Sequence, residues 1–387
     1  MEHSPTFGFS SAHRWIKCNG SVKLLQDIPN VDTSDAMEGN AAHWVGSTML
    51  EAYKDSRVDW LEAGHDCIGT KADNGIIITD EMFDAALTYV NQVVKVATDH
   101  KQLHVEVRVS AIMTIDPEAW GTADAIYYDV ETNTLYIWDF KFGHASVTAY
   151  ENYQLIGYAQ AACETFKYTT INPRLALTIV QPRCYDGQGP VRTWETCFDN
   201  LRGYINQMKH QITKYRMRET TLDTGAHCRD CRARYCCPAS MQAAANGIDY
   251  STKTIPQVMS PEALSYEKVL VDLAVDRLKQ RKTAIDAQVE SRIRKGEFIP
   301  GFVMENVMGS KKWNKPVKEV KMVGEMFGIK VLKDEVCITP TQTISAMKAK
   351  GLDPSVLSSY YGTTKTGVKV VTNDGTKAKL IFSQEKI

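Results

Sequence analysis

The chain has 387 residues, 43% hydrophobic and 24% charged, with a net charge of −1. Such a length and composition fit a globular protein of one large domain with an appendage, or of two domains, and no apolar run approaches membrane-spanning length. The opening MEHSPTFGFSSAHRW lacks the charged-then-apolar pattern of a secretory signal, so a cytoplasmic protein is expected.

In chain order, the first helix is expected over Asp35 to Tyr53, where Met37, Ala41, Val45 and Met49 recur at helical spacing beside Trp44. A second is expected from Asp80 to Asp99, capped by Thr79, with Met82, Ala86, Tyr89, Val93 and Val96 as its stripe. HVEVRVSAI, from His104 to Ile112, alternates as a strand should. It predicts the valines on one face and Glu106, Arg108 and Ser110 on the other. DAIYYDV and TLYIWDF predict a hairpin turning at Glu131-Thr132-Asn133. A helix over Glu151 to Phe166, strands over Arg174 to Arg183 and Val191 to Phe198, and a helix from Asp199 to Met217 follow. The order helix, three strands, helix, strand predicts an α/β layer fold.

After residue 250 the character changes. Residues 251–387 carry 23 Lys plus Arg against 15 Asp plus Glu, whereas residues 1–250 carry 22 against 31. An acidic body with a basic C-terminal part, 251–387, suggests a polyanionic partner for that part. It opens with a long helix, Ser260 as N-cap and Pro261 in the first turn, with Leu264, Val271, Leu278, Ile285, Val289 and Ile293 along one face. This helix also suits a subunit contact, so a homo-oligomer is a further expectation. Beyond residue 297, short strands and a helix near Thr341 to Lys350 are expected.

The chemistry concentrates in GTADAIYYDVETNTLYIWDFKFG, residues 121–143. If the two runs pair, Asp124 and Asp139 come to the same rim of the sheet. Two facing carboxylates repel unless a cation lies between them, and hard oxygen ligands suit Mg²⁺ or Mn²⁺. Lys141 lies two residues past Asp139 and so points to the same face. An ammonium there can position a water and offset charge on a phosphate.

Gly121-x-x-Asp124 followed across a hairpin by Asp139-x-Lys141 resembles the PD-(D/E)XK nuclease superfamily. Gln154-x-x-x-Tyr158 on the next helix and His43 in EGNAAH narrow the resemblance to its RecB-like exonuclease group, in a phage-associated branch, over roughly residues 8 to 245. The resemblance implies a restriction-endonuclease-like core, a mixed central sheet flanked by helices, within a nuclease domain of residues 1–250. It implies metal-dependent DNA exonuclease activity leaving 5′-phosphate ends, in phage recombination or DNA processing beside a single-strand annealing or recombination protein. Asp124, Asp139, Lys141, Gln154 and Tyr158 would be catalytic. His43, Asp124 and Asp139 would hold the ion, with Glu106 a further candidate ligand.

Six of the ten cysteines are scattered: Cys18, Cys67, Cys163, Cys184, Cys197 and Cys337. The others crowd into HCRDCRARYCCPAS as Cys228, Cys231, Cys236 and Cys237. CRISPR-associated RecB-like nucleases hold a [4Fe–4S] cluster with one cysteine ahead of the nuclease core and three after it. By that resemblance Cys18, Cys228, Cys231 and Cys237 would staple the two ends of the domain. A structural Zn²⁺ on Cys228 and Cys231, with Cys236 or Cys237 and His227, is the alternative. In the basic run KKWNKPVKEVK, Lys311, Lys312 and Lys315 are candidates for phosphate contacts and Trp313 for base stacking, and Pro316 argues against a helix.

Overall fold

A computed structural model describes residues 3–28, 33–55, 57–168, 172–184, 187–252, 258–308, 312–313, 315–333, 336–337, 339–362 and 365–372. For 306–308, 312, 332–333, 336–337, 349 and 365–372 it describes the backbone alone. The chain divides into two compact units, Met1–Arg281 and Lys282–Ile387.

The first unit is built on a mixed five-stranded sheet in the order β1-β2-β3-β4-β5. Ahead of the sheet come α1 (Ala12–Trp15), α2 (Gly20–Leu24), α3 (Ser34–Lys54), α4 (Trp60–His65) and α5 (Asp80–Val94). The strands are β1 (Leu103–Ser110), β2 (Trp120–Asp129), β3 (Thr134–Phe140), β4 (Arg174–Val180) and β5 (Val191–Cys197). Helix α6 (Tyr153–Phe166) carries the chain from β3 to β4, the one parallel pair. The other neighbours are antiparallel, including the expected β2–β3 hairpin, whose register runs from Asp129↔Thr134 to Ala125↔Trp138. Helices α7 (Phe198–Arg216), α8 (Pro238–Ser251) and α9 (Pro261–Arg294) follow.

The sheet is buried on both faces, as a strand feeding a βαβ crossover must be. One core, with Val45, Met49, Tyr89 and Val93, lies under α3 and α5. The other, with Phe9, Trp15, Ile156, Tyr158 and Met208, lies under α1, α6 and α7. Thr33 and Thr79 cap α3 and α5 through their side chains, at Ala36 N and Met82 N, which explains why both helices start where the sequence placed them. The second helix stops at Val94, short of the expected Asp99. Backbone bonds of Val96 and Ala97 to Val93 O close its last turn there.

Strand β1 departs from simple alternation. Glu106 has φ 46°, in the left-handed region that non-glycine residues seldom enter. The pleat flips at this point, so Val105 packs into the α3/α5 core while Val107 and Val109 pack into the opposite one. The valines therefore do not share a face, contrary to the sequence expectation.

In α9, Ser260 Oγ accepts from Ala263 N at 3.2 Å, as a capping residue does. Its expected apolar face is open at Leu264, Val271 and Ile285, and Ala284 is the buried position of the helix.

The second unit pairs β6 (Phe302–Met308) antiparallel with β11 (Lys365–Thr372). Between them lie β7 (Lys312–Trp313), α10 (Val317–Met326), β8 (Leu332–Lys333), β9 (Val336–Cys337), α11 (Pro340–Ala349) and β10 (Tyr361–Gly362). Its core gathers Val320, Val323, Ile329, Val331, Met347 and Leu357. The presence of α10 corrects the reading of Pro316 as a helix breaker. Pro316 is the N-cap, just outside the hydrogen-bonded turn, where a missing N–H costs nothing. Among the described residues no helix is long and apolar enough to cross a membrane.

Candidate metal and phosphate site

The pairing of β2 with its neighbours opens at Asp124. On one side Glu106 falls opposite it, between the pairs Val105↔Ala125 and Val107↔Ala123, and on the other Asp139 lies one step beyond the pair Ala125↔Trp138. Three carboxylates thus cross three adjacent strands in one row. Asp139 and Asp124 are almost fully buried, with 1% and 5% of their surface exposed. Helix α3 presents His43 to this row, its Nδ1 lying 3.5 Å from Asp124 Oδ1 and 3.8 Å from Glu106 Oε1.

Each carboxylate is held differently. Asp124 Oδ2 accepts the Phe140 N–H at 2.6 Å, which leaves Oδ1 toward His43. Asp139 Oδ1 accepts from Gln154 Nε2 at 2.7 Å. Lys141 Nζ pairs with Asp139 Oδ2 at 2.8 Å. Glu106 Oε2 is buried without a hydrogen-bond partner.

Helix α6 supplies the frame. Asn152 caps it, accepting from Gln154 N and Leu155 N. One turn apart, Gln154 and Tyr158 share a face. Gln154 bridges unlike charges: its Oε1 accepts from Lys141 Nζ at 3.2 Å while its Nε2 reaches Asp139 and, at 3.3 Å, the Tyr158 hydroxyl. Tyr158 in turn donates to Thr122 O at 2.7 Å, tying α6 to β2.

The electrostatics are those of a crowded anionic site. Burial pushes Asp139 up to about 6, with Asp124 adding to the rise and Lys141 opposing it. Burial also acts to raise Asp124, but His43 and Lys141 outweigh it and hold that carboxyl below its usual range. For His43, burial works downward, yet Asp124 and Glu106 raise it to about 10. Burial raises Glu106.

Every residue expected at the nuclease-like site therefore lies in one connected network. Within it, His43, Glu106 and Asp124 each offer a ligand atom within 4.8 Å of the others, a set able to hold one cation. Asp139 adjoins this set but is turned to Lys141 and Gln154. Two nearby groups escaped the sequence reading. His3 accepts the Thr122 N–H at Nδ1, 3.4 Å away, and no local motif points to it. Arg183 stacks over Phe142 at 4.3 Å and pairs with Glu81 at 3.0 Å and Glu38 at 3.3 Å.

The cysteines expected to act together also meet. Cys18, Cys228, Cys231 and Cys237 line one cavity with Arg14 and His227, whereas Cys236 is exposed. The segment around Cys18 is tied to the chain after α7. Gly20 N donates to Thr221 O at 3.0 Å, Asn19 Nδ2 to Glu219 O at 3.1 Å, and Thr221 N to Asn19 Oδ1 at 2.8 Å. Among the described residues no three thiol sulfurs lie within 4.8 Å of one another.

Of the basic run, Lys311 lies outside the described residues and Lys312 is described by its backbone alone. Lys315 is exposed. Trp313 packs against the core of the second unit, its ring edge-on to Tyr361 at 6.5 Å.

A mixed five-stranded sheet flanked by helices, with carboxylates, an imidazole and an ammonium gathered across three adjacent strands, defines an α/β protein with a candidate cation site. The chain belongs to the DUF2800 family, described as a protein of unknown function, whose family model matches residues 3–374.

Proposed function

We propose that this protein is a divalent-metal-dependent deoxyribonuclease of the PD-(D/E)XK kind, hydrolysing phosphodiester bonds at DNA ends. The observation that carries the reading is the meeting of Glu106, Asp124, Asp139, His43 and Lys141 along one row across β1, β2 and the end of β3, with Gln154 joining Asp139 to Lys141. A buried cluster of three carboxylates is costly without a cation, and an ammonium beside it is the partner a phosphate needs. His43, Glu106 and Asp124, with Asp139 alongside, would hold a Mg²⁺ or Mn²⁺ ion, which would supply Lewis acidity and neutralise phosphate charge. Lys141, steadied by Asp139 and Gln154, orients the attacking water and stabilises negative charge on the phosphoryl oxygens. Tyr158 and Gln154 hold α6 against β2, so the ammonium and the carboxylates keep their spacing.

The setting we propose is phage DNA recombination or processing, with DNA as substrate and a single-strand annealing protein as partner. For the cysteine cavity we propose a structural [4Fe–4S] cluster on Cys18, Cys228, Cys231 and Cys237. Arg14, whose buried Nε has no hydrogen-bond partner, lines the cavity with these four cysteines, where its charge suits an anionic metal–thiolate centre, and zinc on the same thiolates is the alternative.

Incubation with Mn²⁺ and linear or circular DNA tests the activity. Cleavage of the linear form alone is expected. Cleavage of both would indicate an endonuclease, and of neither a DNA-end-binding module. Asp139→Ala should abolish cutting while leaving the circular dichroism spectrum unchanged, and retained cutting in that variant would remove the site assignment.

A further inference from the structure

The proposed chemistry leaves one side chain at the margin of the site without a role. His3 stands where the backbone of β2 approaches Asp124. Its Nδ1 accepts the Thr122 N–H at 3.4 Å. The segment that carries it is fixed by its own backbone: Ser4 N donates to Trp120 O at 3.4 Å, and Phe7 N to Ser4 Oγ at 3.2 Å. Gly121 makes room for it. A Cβ at that position would come within 3.2 Å of both His3 Nδ1 and the Tyr158 ring.

An acceptor Nδ1 fixes the tautomer of a neutral imidazole: the proton is on Nε2, which is then a hydrogen-bond donor. Burial favours that neutral ring; Asp124 opposes the shift, and Lys141 and His43 reinforce it. His3 is not among the side chains whose ligand atoms converge for a cation. A neutral donor can stand beside a bound cation without repelling it, and it suits an oxygen that the cation has not claimed.

We infer that His3 is a substrate-contacting residue of this site, its Nε2–H donating to a non-bridging oxygen of the phosphate held beside Asp124 and Lys141. The identity of that ligand rests on the nuclease reading; the tautomer set by the Thr122 N–H does not.

The test compares the full-length wild type with His3→Ala and His3→Gln, whose amide N–H can replace the Nε2 donor. Three quantities are read: affinity for thymidine 5′-monophosphate in Ca²⁺, single-turnover cleavage of a linear duplex in Mn²⁺, and Mn²⁺ affinity. His3→Ala is expected to weaken nucleotide binding and slow cleavage by about 10- to 100-fold each, the worth of one hydrogen bond to a charged group. His3→Gln should recover most of both, with Mn²⁺ affinity the same in all three proteins. Unchanged nucleotide affinity in His3→Ala overturns the inference. So does a loss of Mn²⁺ affinity that glutamine does not restore, which would mark a structural or metal-ligating role. If the wild type binds the nucleotide through His3 yet cuts no DNA, the phosphate contact stands and the nuclease reading falls. If it cuts DNA and His3→Ala cuts equally well, His3 alone is dismissed. A wild type that binds no nucleotide overturns the inference, and the nuclease reading falls with it only if no DNA is cut.

Discussion

Glu106 is the residue at which stability and the candidate site most clearly conflict. Its left-handed φ costs on the order of 1–3 kcal/mol, and its Oε2 is buried without a partner. Replacement by glycine removes both penalties and gives up the weaker 3.8 Å contact with His43, whose closer partner Asp124 remains. Glu106→Gly is therefore expected to raise the melting temperature of the metal-free protein by several degrees while weakening Mn²⁺ binding at least tenfold, measured by calorimetry on the same samples. A lower melting temperature would show that the strain is not stored there. His43 sets the pH behaviour. Without a cation its imidazolium is held to about 10 by Asp124 and Glu106 against the opposing effect of burial. That contribution to stability is complete below the ordinary histidine value near 6.5, and it is lost as pH rises through about 10. A cation needs the neutral ring, so binding at pH 7.5 must release a proton. Mn²⁺ affinity should climb steadily from pH 6.5 to 9, with the heat of binding depending on buffer ionisation enthalpy. An affinity flat over that range would exclude His43 as a ligand.

Among the elements, α6 does most to shape the site, and its glycine shows why. Gly157 lies mid-helix, where alanine normally stabilises by about 0.5–1 kcal/mol. Here a Cβ would come within 2.3 Å of the Phe9 ring, which in turn meets Tyr158 edge-on at 5.6 Å. Both rings are fully buried. Gly157→Ala should accordingly destabilise the fold by about 1–3 kcal/mol in urea titration, the usual cost of overpacking, and displace Tyr158 from Thr122. A stabilised variant would mean that the contact relaxes freely. The same helix carries Gln154 in its first turn, so the Asn152 cap, the amide bridge and the Phe9 contact form one mechanical unit that sets the spacing of Lys141 and Asp139.

At the scale of the molecule, the cysteine cavity joins residues some two hundred positions apart. Cys18 and Asn19 already bond to the chain after α7 through the peptide groups around Thr221. A cluster spanning Cys18 and the three later cysteines would close that long loop covalently, and its loss would free both ends of the first unit. Purified without air, the protein should be brown, with about four iron atoms per chain. Cys18→Ser should lose most of the iron and melt several degrees lower, whereas Cys236→Ser should keep both iron and stability. Stoichiometric zinc in a colourless protein would defeat the cluster assignment.

Local chemistry made much of this legible in the sequence. Thr79 announced the start of α5, two apolar runs around the polar Glu131-Thr132-Asn133 turn announced the β2–β3 hairpin, and the Gln154–Tyr158 spacing placed both side chains on one helix face. These features depend on neighbours within a few residues, so the sequence by itself determined them. Other features belong to the tertiary structure alone. Strand pairing sets three carboxylates in a row and forces Glu106 into a conformation its own sequence disfavours, which flips the valines of β1 between the two cores. Packing brings His3 to Gly121 across more than a hundred residues and closes Cys18 on Cys228, Cys231 and Cys237. Contacts between distant segments follow from the register and burial of the whole sheet, and no stretch of local periodicity encodes them.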